Sequence, residues 1–162
     1  MSRRLFAVLA CCTLAGGLSS AQAQTATQVV TFQVVAINRV AVNGAPAPLV
    51  VNTAVAGQAP TSASADGGTY AVTTNESNKK ITASVDQSLP LGVSLEVQLG
   101  APAGASTAGS VALSTAASDV VTGISSLSAA SLPITYRLIA SPRVLIGAAE
   151  TRTVTFTIVS GS

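Results

Sequence analysis

The stretch VSLEVQL, Val93–Leu99, sets Val93, Leu95, Val97 and Leu99 in alternation with Ser94, Glu96 and Gln98. A period of two turns one set of side chains into a core and the other into water, as in a strand with one solvated face. The same alternation returns in ITYRLIA, where Ile134, Tyr136, Leu138 and Ala140 share a face. It returns again in RTVTFTIV, where Val154, Phe156 and Ile158 alternate with Thr153, Thr155 and Thr157. Strands buried on one face only are characteristic of antiparallel sheets.

Outward from these three, shorter strand candidates are RVAVN from Arg39, PLVVNT from Pro48, TYAVTT from Thr69, KKITASVD from Lys79, SVALST from Ser110 and DVVTGI from Asp119. Turn-forming residues lie between them: Asn43-Gly44, Asp66-Gly67-Gly68, Asn75 to Asn78, Pro90-Leu91-Gly92 and the run GAPAGASTAG from Gly100. No amphipathic helical pattern separates the strands, so βαβ units are not expected. The spacing predicts an all-β chain, an antiparallel immunoglobulin-like β-sandwich of about eight to ten strands. A helical turn is expected only within Ser125–Ser131, and AVAGQAPTSASADGG, from Ala54, reads as a loop. No internal repeat stands out.

The chain opens MSRRLFAVLACCTLAGGLSSAQAQ, with a basic start at Arg3 and Arg4, an apolar run from Leu5 to Leu18, and the small-residue pattern Ala21-Gln22-Ala23. This is the layout of a cleavable signal peptide, with the cut after Ala23. The run holds Gly16 and Gly17 and falls short of the roughly 20 apolar residues of a spanning helix. Acylation at Cys11 would leave the apolar stretch too short for an export signal. The expected organisation is therefore a signal peptide over 1–23 and one domain over 24–162. It implies export to the periplasm, cell surface or medium, with no membrane span after cleavage.

Both cysteines, Cys11 and Cys12, lie in the leader. The processed chain can form no disulfide framework and must rely on burial and backbone pairing. Of the eight basic residues two, Arg3 and Arg4, also leave with the leader, so six face six acidic residues and the formal charge is zero. The remaining Arg39, Lys79, Lys80, Arg137, Arg143 and Arg152 are scattered, which is no footprint for nucleic acid. Charged residues are 9% of the chain, so self-repulsion is weak and association is favoured.

Chemistry is scarce. With no histidine in the chain, Ser-His-Asp and Cys-His catalysis and imidazole metal ligation are unavailable. The acidic residues Asp66, Glu76, Asp86, Glu96, Asp119 and Glu150 fall in no motif that selects a facing carboxylate pair. Asp66-Gly67-Gly68 supplies too few oxygens for calcium and reads better as a hairpin turn. Asn75-Glu76-Ser77 matches a glycosylation triplet too short to carry weight in a bacterial-looking chain. Catalytic residues, cofactor ligands and metal ligands are each expected to be none. Phe32, Tyr70, Tyr136 and Phe156 are in phase with apolar neighbours and are expected in the core rather than on a sugar-binding face. Tyr136 is expected to bond its hydroxyl to nearby backbone.

The succession TYAVTTNESNKKITASVD, LPLGVSLEVQLGAPAGASTAGSVALST, ITYRLIASP and TRTVTFTI resembles a group of small exported bacterial β-proteins. The resemblance implies export and a β fold, and transfers no functional residue.

One segment stands apart. TQVVTFQVVAI, Thr27–Ile37, has Val30, Phe32, Val34 and Ala36 on one face and Val29, Val35 and Ile37 on the other, with no charge and no proline. It lacks the usual protections of an exposed strand edge and must be paired in the working protein. The strand-pairing residues are Val29, Val30, Phe32, Val34, Val35 and Ile37. Two arrangements satisfy this. The segment is the first strand of its own sandwich, beside RTVTFTIV, in a self-contained exported module that binds carbohydrate or protein. Or it is lent to another copy as in donor-strand complementation, so that the partner is the protein itself and head-to-tail repetition gives a fimbrial or matrix-type filament.

Overall fold

The computed structural model describes residues 24–144 and 147–161. The signal peptide predicted over 1–23 lies outside them. The chain divides into two units, Met1–Gln33 and Val34–Ser162. In the first, residues 24–33 form no regular secondary structure, and Val29, Val30 and Phe32 are exposed.

The second unit is all-β, with nine strands among the described residues: β1 Asn38–Asn43, β2 Ala63–Thr74, β3 Lys79–Val85, β4 Val93–Leu99, β5 Ser106–Thr107, β6 Val111–Ala112, β7 Ser118–Ile124, β8 Leu127–Ala140 and β9 Val154–Ser160. They form a five-stranded sheet of order β1-β2-β8-β4-β6 and a four-stranded sheet of order β5-β7-β3-β9, antiparallel throughout. From β2 onward every connection carries the chain from one sheet to the other. Each strand therefore presents an inward row to the opposite sheet.

The core follows from those rows. Tyr70 and Val72 of β2, Val97 and Leu99 of β4, and Ile134 and Tyr136 of β8 come from the larger sheet; Ile81, Ala83 and Val85 of β3 and Val120, Val121 and Ile124 of β7 come from the smaller. Burying such side chains contributes about 1.5–3 kcal/mol each, and the described residues contain no cysteine to add a disulfide to it.

Tyr70 is buried and its hydroxyl donates to the Gly100 carbonyl at 2.6 Å. Among the described residues, the hydroxyl–backbone bond expected of Tyr136 is found at Tyr70. Burial pushes the Tyr70 pKa up to about 12 and raises that of Tyr136 as well, because a phenolate in the core loses its hydration. The unfolded chain gives up the Tyr70 proton near pH 10, whereas the folded protein holds it to about 12. Stability that is complete below pH 10 should therefore fall as pH climbs through that window. Urea unfolding followed across this range should show the decline. Tyr70→Phe should cost about 1 kcal/mol at neutral pH and fall less steeply in alkali; equal slopes for the two proteins would refute the assignment.

Three local expectations are corrected. Asp66-Gly67-Gly68 is no hairpin turn but an irregularity inside β2, where the register against β8 shifts between Asp66 and Thr69. The Asp66 carboxylate accepts from the Gly68 amide at 2.8 Å, and Gly68 takes a φ of 82°, so turn chemistry serves a bulge. PLVVNT forms no named strand; it lies in the β1–β2 connection, whose only ladder feature among the described residues is the Ala54–Pro60 bridge. The helical turn expected in Ser125–Ser131 is absent, since Leu127 already begins β8 and Ser126 turns the chain with a φ of 41°.

Candidate strand-pairing site

The two sheets end differently on their two sides. On one side the edges are β5 and β6, two residues each, and very short edge strands offer little to pair with. On the other side they are β1 and β9, of six and seven residues. Among the described residues, neither has a ladder partner on its outer side.

β1 and β9 lie next to each other, and a polar network links them at one end. The Asn38 amide donates to the Glu76 carboxylate and Thr74 Oγ1 donates to Asn38 Oδ1 at 2.7 Å. Lys79 Nζ lies 3.0 Å from Glu76 Oε2 and donates to Ser160 Oγ at 3.1 Å. The Asn38 hydrogen bond first, and then Lys79, holds the Glu76 carboxyl below the usual range. Its share of stability is present at neutral pH and is lost as acid protonates it.

Away from that network the apolar rows are incompletely covered. Val40 of β1 and Val154, Phe156 and Ile158 of β9 are half-buried against the core, and Val42 is 48% exposed. The neighbouring strand β3, flanked by β7 and β9, keeps Ile81, Ala83 and Val85 buried. The difference is what an edge strand with no outer neighbour produces.

Of the two edge strands on this side, only β1 contains a charged residue. Arg39 is exposed on β1, whereas β9 reads VTFTIVS with no charge, no proline and seven consecutive partners on β3 without a register shift. An uncharged edge of this length, with an unbroken register and no outer partner among the described residues, is open to pairing.

The six strand-pairing residues are all exposed: Val29 by 94%, Val30 by 71%, Phe32 by 87%, Val34 by 78%, Val35 by 63% and Ile37 by 41%. Phe32, expected in a core, is thus at the surface, while Tyr70 and Tyr136 are buried and Phe156 is half-buried. Thr27–Ile37 forms no strand here; β1 begins at Asn38. Its last residues are tied to the β2–β3 turn by Asn75. The Asn75 side-chain Nδ2 donates to the Val35 carbonyl at 2.8 Å, Asn75 Oδ1 accepts from the Ile37 backbone N–H at 2.8 Å, and the Asn75 backbone N–H donates to the Ile37 carbonyl at 3.2 Å.

Among the described residues no group of three or more His, Cys, Asp or Glu side chains could hold a metal. Predicted as a solvated strand residue, Glu96 accepts from Ser110 at 2.8 Å and lies 3.9 Å from Arg137.

What the sequence reading overlooked is a short likeness between the two uncharged segments. Val30-Thr31-Phe32-Gln33-Val34-Val35 and Val154-Thr155-Phe156-Thr157-Ile158-Val159 are identical at four of six positions. A comparison of the chain with itself over windows of strand length would have found it. Compared with known proteins, the chain matches no family model and no curated sequence.

Proposed function

We propose that this is an exported, non-enzymatic structural or surface protein, a subunit of fimbrial or matrix type that uses Thr27–Ile37 for strand pairing with another copy. In this reading the chain loses residues 1–23 on export and the domain is an immunoglobulin-like sandwich. Two antiparallel sheets sharing one apolar core are what such a sandwich requires. The observation that carries the function is the exposed row Val30, Phe32 and Val34, with Val29 and Val35 on the other face, in a segment without charge. Soluble domains seldom leave so much contiguous apolar surface unoccupied. An extended segment covers such a row by joining a sheet edge, where main-chain hydrogen bonds give affinity and side-chain pockets fix register.

The full chain, exported from a bacterial host, should form concentration-dependent oligomers or fibres by sedimentation and electron microscopy. A form carrying residues 24–37 as a Gly/Ser sequence of equal length should stay monomeric with unchanged circular dichroism. If the natural protein is monomeric at millimolar concentration and the altered one unfolds, the segment belongs to its own domain and the proposal fails.

A further inference from the structure

Building on the proposed function, we infer that the acceptor is the outer edge of β9, and that Val30–Val34 of a second copy pairs along it with Val30, Phe32 and Val34 turned inward over Val154, Phe156 and Ile158.

Three observations select this edge and this occupant. The first is chemical likeness: Val30, Phe32 and Val34 alternate with Thr31 and Gln33 as Val154, Phe156 and Ile158 alternate with Thr155 and Thr157. A strand with that pattern continues both faces of the β3–β9 ladder. Its apolar row extends the inward face that is only half-covered, and its polar row extends the outer face on which Thr155 and Thr157 are exposed. The second is charge. Neither segment carries any, whereas β1, the other long edge, presents Arg39, and strands joining β1 would have to accommodate it.

The third concerns which copy supplies the strand. Val35 and Ile37 are bonded to Asn75 and run directly into β1. Between Gln24 and Ile37 there is no Gly, Pro, Asn, Asp or Ser, so the sequence lacks the residues with which a chain reverses tightly. A return of the same segment onto its own β9 needs such a reversal. Donation to a second copy needs none. Because each copy offers one segment and one edge at different places, the contact is heterologous, and its repetition gives an open fibre rather than a closed dimer.

The test is cysteine cross-linking between populations in a full-length background carrying Cys11→Ala and Cys12→Ala. One population carries Gln33→Cys on the polar side of the donor. The others carry Thr155→Cys or Thr157→Cys on the outer side of β9, or Ala41→Cys on β1. After mixing and brief copper-phenanthroline oxidation, mixed dimers of the Gln33→Cys chain with at least one β9 variant should exceed those with the Ala41→Cys chain by at least about tenfold. Equal or greater linkage at Ala41, or assembly with no linkage to β9, overturns the acceptor assignment and leaves the strand-lending function standing. Absence of any assembly by sedimentation removes both.

Discussion

Gly68→Ala should destabilise the domain by roughly 3–5 kcal/mol, a large part of the 5–15 kcal/mol that holds a typical domain folded. Two effects add. Gly68 has a φ of 82°, a region that costs a residue with a Cβ about 1–3 kcal/mol. A Cβ there would also fall 2.3 Å from the Asn43 carbonyl oxygen and 3.0 Å from the Gly44 Cα. These atoms are backbone and cannot swing aside as the tip of a side chain would, so β1 has to move against β2, with an overpacking cost of about 1–3 kcal/mol. Asn43 is the last residue of β1 paired to β2, opposite Thr69, and its displacement should loosen that end of the edge strand. Urea unfolding should show the lower midpoint. Gly57→Ala is the control: its φ of 83° is similar but no atom lies within 4 Å of the added carbon. The Gly68 change should therefore cost appreciably more than the Gly57 change, and equal costs would show that the close approach to Asn43 is unimportant.

The same residues show where sequence reading succeeds and where it stops. Alternation was decisive for β4, β8 and β9, because a period of two in a half-buried strand is a direct record of which side faces the core. Ile134 and Tyr136, read as core from that pattern, are buried. Asp66-Gly67-Gly68 misled because an aspartate bonding to the amide two residues on, beside a glycine of positive φ, is the local chemistry of a turn and of a bulge alike. Only the pairing on either side, with β2 facing β8 both before Asp66 and from Thr69 onward, distinguishes them. The Val and Thr residues of PLVVNT have strand propensity but form no named strand, which reflects how far β-propensity depends on neighbours. For the candidate site, the composition of the proposed donor was legible, since absence of charge and proline needs no coordinates. The proposed acceptor was not. That β9 ends up at an edge, and that its inward row is only half-covered, depends on strand order across two sheets. Phe32 illustrates the limit: its apolar neighbours suggested a core position, but apolar neighbours are also what a surface designed for pairing contains.

Phe32→Asp should abolish assembly while leaving the domain as stable as before. In a single copy the ring is 87% exposed, so its loss removes almost no buried surface, and substitutions at such sites change stability by about 0.5 kcal/mol or less. In the proposed paired state the ring would lie at the centre of the inward row, and an aspartate there would be taken from water into an apolar seam. The described residues of β9 offer it no cation, since β9 contains neither Lys nor Arg. Burial of an unpaired carboxylate costs several kcal/mol, and with about 1.4 kcal/mol per tenfold change in affinity the association constant should drop by at least about a hundredfold. Gln33→Asp supplies the comparison, because it introduces the same charge one residue away on the polar row, where it stays hydrated and should weaken association by less than about tenfold. Sedimentation velocity across a concentration series measures both, with thermal unfolding as the check on the fold. An equal loss from the two substitutions would mean that net charge, rather than insertion of the Phe32 row beneath a neighbouring strand, governs association.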